Sequence, residues 1–337
     1  MISKDFGDYL SEYFLKYTPR QTGYSINTIK SYRDTFTIFL RYLNDKLRIK
    51  PEKVSFEKIN KKMIEEFLIW LEEYKKCSVS TRNQRLAAIH AFFRYVQIEA
   101  PETLNLSNLI LSIPAKKVAG NPISYLTIDA VKALLATPDM KTKTGLRELA
   151  LIALLYDSAA RVQEIADLTV GDIRLAPATV KLKGKGSKTR IIPIMVQTAK
   201  LLGSYLKEYS LLAEESINLP VFSNRNNYKL TRAGISHILS KYVKIAKKNQ
   251  PKLFPKKVSP HILRHSKAVH LLQANVNLIY IRDFLGHSSV TTTEKYAKAD
   301  SEIKRKAIEK ASYNFLPDKK YSSREKHELL TWLKTII

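Results

Sequence analysis

The sequence predicts a mainly α protein in two domains, the second of which carries a small β-sheet. Three observations lead there. Apolar residues recur at helical spacing over most of the 337 residues. Residues 178–194, ATVKLKGKGSKTRIIPI, alternate like a strand and return like a hairpin. Between the halves, the stretch from Pro101 to Pro122 interrupts the helical rhythm with Pro101, Pro114, Gly120 and Pro122. A chain of this length can bury two cores. With 45% hydrophobic and 26% charged residues it reads as globular, not disordered.

In chain order, Asn27 to Leu43 sets Ile29, Tyr32, Phe36, Phe39, Leu40 and Leu43 on one stripe. Asn60 to Tyr74 repeats the pattern with Met63, Ile64, Phe67, Leu68, Leu71 and Tyr74. SVSTRNQRLAAIHAFFRYV is a third helix, with Ser80 as the expected N-cap and Leu86, Ile89, Phe93 and Val96 as its buried face. Its start is expected to show Thr81, Arg82, Asn83, Gln84 and Arg85 to solvent, types that donate to phosphates and base edges from a helix in the major groove. Further helices follow at Thr127 to Leu135 and Gly145 to Asp157. In the hairpin, Val180 and Leu182 alternate with Lys181 and Lys183, and Thr189 to Ile194 form the return strand. Helices dominate again from Met195. The expected domains are 1–113, a linker at 114–123, a second domain at 124–316, and a tail helix at 317–337. The tail's apolar face (Leu329, Leu330, Trp332, Leu333, Ile336) calls for a groove to occupy, in its own chain or a neighbour's.

Charge narrows the function. Lys and Arg total 57 against 31 acidic residues, a net charge of +26. Residues 1–115 hold 18 basic and 13 acidic side chains, so most of the excess lies in the second part. Such a surface suits a polyanion, because basic groups on phosphates release condensed counterions. Nucleic acid is the favoured partner; a ribosomal or anionic-membrane surface would also satisfy charge alone. No apolar run is long enough to span a bilayer, and the first residues do not read as a secretory signal. Cys77 is the sole cysteine, which rules out a disulfide within one chain and fits a reducing cytoplasm.

Neither a G-x-S-x-G elbow nor a GxxxxGK[ST] phosphate loop is present. His261 and His265 stand four apart on a helix, but Ile-Leu-Arg lies between them, and an arginine beside a divalent cation is electrostatically unfavourable. No metal or cofactor is expected. A phosphodiester can be cut without metal if fixed donors stabilise its non-bridging oxygens. Arginine's planar fork suits that task. The chain offers Arg161 in YDSAARVQEIADL, Lys185 on the hairpin, His261 and Arg264 in PHILRH, and His287 and Tyr296 in LGHSSVTTTEKY. Each has an ordinary structural reading: ion pair, helix cap, phosphate clamp or core tyrosine.

Taken together and in this order, the residues resemble the tyrosine recombinases, or phage-integrase family. Arg161 to Glu164 matches the family's Arg-x-x-Glu, and Lys185 its hairpin lysine, flanked here by Lys183 and Lys188. His261 and Arg264 match His-x-x-Arg, Leu285 to His287 match Leu-Gly-His, and Tyr296 follows nine residues later. The resemblance spans about residues 5–312. It implies a SAM-like helical core-binding domain followed by an α+β catalytic domain. It also implies strand cleavage and rejoining through a 3′-phosphotyrosyl intermediate, without metal or ATP. Tyr296 is then the nucleophile, and Arg161 and Arg264 hold the phosphate. His261 and His287 add donors, with His261 helping to take the phenol proton. Lys185 protonates the leaving oxygen, and Glu164 orients Arg161 or a histidine. Thr81, Arg82, Asn83, Arg85, Lys183, Lys188 and Arg190 are the expected DNA contacts, while His265 and His270 are expected to be structural.

The implied partners are double-stranded DNA carrying specific recombination sites and a homo-tetramer spanning two of them through a Holliday junction. An accessory recombinase or directionality factor would join them, at the nucleoid. Ser158 and Ala159 stand where the family usually has Thr-Gly, so no positive φ is expected at 159. The roles left open are mobile-element integration, excision or transposition, and Xer-type dimer resolution. From other classes, a type IB topoisomerase and a non-catalytic DNA-binding regulator also remain.

Overall fold

The computed structural model describes residues 5–118, 123–184, 188–287, 289–299 and 331–333. The chain divides into two compact units, Met1–Asn121 and Pro122–Ile337.

The first unit is helical. Helix α1 (Phe6–Glu12) starts at Asp5, whose carboxylate accepts the Asp8 N–H, and runs through a π-helical turn into α2 (Thr18–Arg20). Then come α3 (Ile26–Leu47), α4 (Lys61–Glu73), α5 (Val79–Glu99) and α6 (Leu104–Leu111). The side chains of Ser25 and Asn60 cap α3 and α4 by accepting N–H groups three residues ahead, which satisfies donors the helix leaves open. The apolar stripes meet as expected: Phe36, Phe39 and Leu43 pack with Ile64, Phe67, Leu68 and Leu71, and with Leu86, Ile89, Phe93 and Val96. Burying each such side chain contributes about 1.5–3 kcal/mol relative to leaving it in water.

Three expectations are corrected here. The N-cap of α5 is Ser78, which accepts the Thr81 N–H, so the helix begins before Ser80. Arg82 does not face solvent: it is 6% exposed and donates to the Pro114 carbonyl at 3.2 Å. The helical rhythm resumes after Pro101, since α6 lies there and buries Ile110, with Ile113 just beyond. A helix of eight residues between two prolines is too short to show clear periodicity, and packing on α5 forms it.

The second unit begins with α7 (Ile128–Leu135), α8 (Lys143–Asp157) and α9 (Val162–Ala166). Strands β1 (Ile173–Arg174), β2 (Thr179–Lys183) and β3 (Thr189–Pro193) form an antiparallel sheet in the order β1-β2-β3, with Val180 opposite Ile192 and Leu182 opposite Arg190. Val180 and Leu182 turn inward while Lys181 and Lys183 stay exposed, so the hairpin alternates as read. Helices α10 (Val196–Glu208), α11 (Arg232–Asn249), α12 (Pro260–Gln273), α13 (Leu278–Leu285) and α14 (Thr291–Ala299) complete the described fold. Helix α8 is the spine of the core, with Leu151, Ile152, Leu154 and Leu155 all at 1% exposure or less.

Beyond α8 the chain turns through Ser158, which bonds back to the Leu154 carbonyl, and Ala159 takes φ +46°. The left-handed backbone does exist at this position, contrary to expectation, and an alanine occupies it. Of the expected tail helix, residues 331–333 are helical, with Trp332 and Leu333 about half exposed. The rest of that expected helix lies outside the described residues.

Candidate active site

The site grows from three local structures in the second unit. The first is the start of α9. Arg161 takes the N-cap position with extended backbone, and Glu164 reaches back to accept the Arg161 N–H at 2.7 Å. Glu164 also accepts from Arg161 Nη1 at 3.0 Å and from both Nη atoms of Arg190 on β3 at 2.8 Å. Its hydrogen bonds among the described residues come from Arg161 and Arg190, not from a histidine. Burial pushes the Glu164 carboxyl up, but the bonds from Arg190 and Arg161 and their charges outweigh it, and its pKa falls below the usual carboxylate range.

The second is the end of α13. The Gly286 N–H donates to Asp283 and the His287 N–H to Arg282, both carbonyls of the last turn, with Gly286 at φ +64° and ψ +46°. This double bond pattern is a Schellman cap and needs the left-handed backbone that glycine adopts freely. A Cβ on Gly286 would also lie about 3.0 Å from the Arg190 guanidinium, so a larger residue there would have to displace that side chain. The carbonyls that emerge from this turn hold the arginines: Leu285 O accepts from Arg264 Nη2 at 2.6 Å, Gly286 O from Arg161 Nη2 at 3.2 Å, and Phe284 O from Arg190 Nε at 3.2 Å. The end of α13 is thus a bracket for three cations, two of them held by carbonyls of the Leu-Gly-His motif, which also carries His287.

The third is α12. Arg264 is 2% exposed, and its other Nη donates to Ala159 O at 2.7 Å. Burial first, and Arg161 second, bring its pKa down to about 10, so it remains charged at neutral pH. His261, near the start of α12, is exposed and meets the His265 ring edge-on at 5.1 Å between centroids. Its pKa is lowered by burial and by Arg264 and Arg161. Burial and the same arginines bring His287 down to about 4, and its Nδ1 lies 3.0 Å from Oγ1 of the buried Thr293.

Tyr296 projects from α14 into this cluster. It is 3% exposed, packs with Ala159, Ala268, Val269, Ile281 and Leu285, and lies near-parallel to the His287 ring at 6.4 Å between centroids. Its hydroxyl is 2.8 Å from Nδ1 of His265. Burial raises the phenol pKa while Arg264 and Arg161 pull it down, and the balance stays above the usual value. His265, expected to be structural, therefore touches the candidate nucleophile. The signal was present in the sequence: His265 follows His261 by four residues and so shares its helix face. Thr293 and the Leu285 and Gly286 carbonyls were also missed, because backbone acceptors and a threonine carry no distinctive pattern. Nδ1 of His270 lies 2.8 Å from the Tyr156 hydroxyl.

Arg161, Glu164, His261, Arg264, His287 and Tyr296 are brought together; Lys185 lies outside the described residues. The expected DNA-contacting residues fare differently. Arg190 is committed to Glu164. Lys183 is half exposed and 3.5 Å from Asp172, and Lys188 is exposed. In the first unit, Asn83 donates to Lys116 O at 2.7 Å and accepts from its N–H, and Arg85 Nη1 donates to Ser31 O and Thr35 Oγ1. Thr81 is half-buried against the Ser78 cap.

Residues 124–302 match the phage integrase family, and residues 10–100 match the phage integrase N-terminal SAM-like domain. A protein of Sinorhizobium fredii named as an integrase/recombinase, y4rC, is 36% identical over 304 residues, covering 90% of each chain. Tyrosine recombinase XerD of Oceanobacillus iheyensis is 32% identical, covering 86% of this chain and 93% of the relative. Among solved structures, the Tn1549 transposon integrase in complex with transposon right end DNA aligns at TM-score 0.67 and 19% identity, over 90% of this chain and 99% of the other. The XerH site-specific recombinase bound to palindromic difH substrate aligns at TM-score 0.66 and 24% identity, over 86% and 80%. With the domain pair, the arginine bracket and the buried tyrosine all in place, the chain belongs to the phage integrase family, the tyrosine recombinases, enzymes that cut and rejoin DNA.

Proposed function

We propose that the chain is a site-specific recombinase of a mobile element, acting in integration, excision or transposition through a 3′-phosphotyrosyl intermediate. The observation that carries the chemistry is the convergence of Arg161 and Arg264 on the Leu285–His287 turn beside Tyr296. Two fixed guanidiniums supply the charge that a phosphodiester needs as it passes through the in-line transition state. His261 and His287 each bring a ring nitrogen to a non-bridging oxygen; Nδ1 of His287 is engaged with Thr293 Oγ1 at 3.0 Å, which leaves Nε2 for the phosphate. Tyr296 attacks phosphorus and the 5′ oxygen departs with a proton from Lys185. The covalent link keeps the bond energy, so rejoining to a new 5′ hydroxyl needs no ATP.

The first unit and the basic hairpin, with Lys183 and Lys188 exposed, would bind the duplex at specific sites. Four protomers would act on two sites, with the tail helix docking on a neighbour and an accessory recombinase or directionality factor setting the outcome at the nucleoid. Of the two biological roles, the 36% identity to an integrase/recombinase supports the mobile-element one. Relatives named XerC and XerD at 30–32% identity support Xer-type dimer resolution as the second reading.

The test is Tyr296→Phe on DNA flanking the native gene. The variant should bind as well as the unmodified chain and form no covalent adduct. An adduct that persists on denaturing gels would sink the assignment of Tyr296. Relaxation of supercoiled plasmid regardless of site would favour the topoisomerase class, and no adduct even from the unmodified chain would favour a DNA-binding regulator.

A further inference from the structure

We propose that His265 positions the Tyr296 nucleophile and is the group that accepts its phenolic proton. This rests on the recombinase reading above and names a residue outside the set that the sequence resemblance implied.

The geometry is direct. Nδ1 of His265 lies 2.8 Å from the Tyr296 hydroxyl, with the two rings tilted at 55° and 5.4 Å apart. Around them are Ala159, Ala268, Val269, Ile281 and Leu285, which offer the hydroxyl no side-chain partner. A phenol buried to 3% exposure must satisfy its O–H, and His265 is what it meets. His261 packs on the His265 ring at 5.1 Å between centroids, while the hydrogen bond to the Tyr296 hydroxyl is made by His265, so a proton leaving Tyr296 encounters His265 first.

Fold and charge explain why His265 can do this. It follows Arg264 on α12, so the helix that places the phosphate-binding guanidinium also places the acceptor, one residue on and about 100° around the axis. Burial, His261 and Arg264 bring its pKa down to about 4, so it is neutral and has a lone pair to offer at physiological pH. A bound phosphodiester brings negative charge to Arg264, offsets its repulsion of an imidazolium, and raises the basicity of His265 when it is needed.

The step balances. The Tyr296 O–H bond breaks and its proton moves to Nδ1 of His265. The freed oxygen forms the bond to phosphorus, and the bond from phosphorus to the 5′ oxygen breaks, that oxygen taking a proton from Lys185. In rejoining, the imidazolium returns its proton to the departing phenolate. A general base in this position is worth about 10²–10⁴ in rate.

Two measurements test the assignment. In the full DNA-free chain with ¹⁵N-labelled histidine, the nitrogen signals of His265 should show the tautomer with hydrogen on Nε2 and a hydrogen-bonded Nδ1, and Tyr296→Phe should move that Nδ1 signal. Hydrogen on Nδ1, or no response to Tyr296→Phe, overturns the proposal without requiring any DNA. In single-turnover cleavage of a nicked duplex taken from the DNA flanking the gene, His265→Ala should slow adduct formation by about 100-fold or more with DNA affinity unchanged. His265→Asn, whose Oδ1 falls near the position of Nδ1, should recover positioning and part of that loss. His265→Ala cleaving at the unmodified rate overturns the catalytic role. If the unmodified chain forms no adduct, the recombinase reading itself fails, and the NMR result still decides whether His265 holds Tyr296.

Discussion

Arg190 lays both Nη atoms of its fork on Glu164, each 2.8 Å from a carboxylate oxygen, with side-chain exposures of 15% and 4%. The pair is buried among further cations, because Arg161 shares the same carboxylate. Breaking a buried pair from one side leaves a charge without compensation and costs about 3–5 kcal/mol. Glu164→Ala is therefore expected to lose stability on that scale in urea unfolding. The double variant Glu164→Leu with Arg190→Met, which removes both charges, should regain most of it. Neither should regain cleavage, because Arg161 would still lack the carboxylate that aims it.

The two arginines proposed to hold the phosphate should separate in their effects. Arg161 is 37% exposed at its side chain, whereas Arg264 is 2% exposed and ties Ala159 O to Leu285 O. Arg161→Ala should leave the melting temperature nearly unchanged and reduce adduct formation by about 10²–10³-fold, the usual cost of losing one transition-state donor. Arg264→Ala should do the same to the chemistry and also lower stability by about 2–3 kcal/mol, as two buried carbonyls lose their donor. Thermal melts beside single-turnover cleavage distinguish the two.

Ala159 sits at φ +46° with no exposed surface, and its carbonyl anchors Arg264. Glycine there would relieve about 1–2 kcal/mol of left-handed backbone strain. It would also lose a buried methyl and add unfolded-chain entropy, about 1–2 kcal/mol together. These effects nearly cancel, so Ala159→Gly should change stability by less than about 1 kcal/mol. Ala159→Val adds β-branching at positive φ and volume in a filled cluster, and should cost about 2 kcal/mol or more in denaturant unfolding.

The histidines make stability depend on pH. His265 and His287 fall from 6.5 to about 4 in the folded chain. Between those values the unfolded chain binds more protons than the folded one, so acidification favours unfolding. Stability should be constant above about pH 6.5 with respect to these groups and fall as pH drops toward 4, by up to about 1.4 kcal/mol per pH unit for each. Urea midpoints from pH 7 to pH 4 measure this slope. His287→Asn should flatten it, and a slope unchanged by that variant would remove His287 from the account.

Much of the fold was legible in local patterns. The stripes of α3, α4 and α5 announced their helices because 3.6-residue periodicity is a local property of the chain. The hairpin announced itself through period-2 alternation around a glycine turn. Helix α6 did not, because eight residues between prolines are too few for periodicity, and its reason to form is the surface of α5. The start of α5 misled for a related reason. Basic and amide residues at a helix start read as solvent-facing, yet the segment at 114–116 folds back over Arg82 and Asn83 and uses their hydrogen bonds.

By itself the sequence determined the two-domain helical class, the family and the net basic charge, and it named the candidate site residues. Residue type and spacing carry that information: arginine, histidine and tyrosine in this order on these elements suit one chemistry. Only tertiary structure decided what each group is bonded to. Arg190 became the partner of Glu164 rather than a DNA contact, and His265 became the partner of Tyr296 rather than a bystander. Three backbone carbonyls at the end of α13 became the bracket for the arginines. Those outcomes depend on residues as much as 125 positions apart, as with Arg161 and Gly286, meeting within 3.2 Å. Spacing along the chain does not encode such contacts; burial and the need to satisfy every buried donor select them.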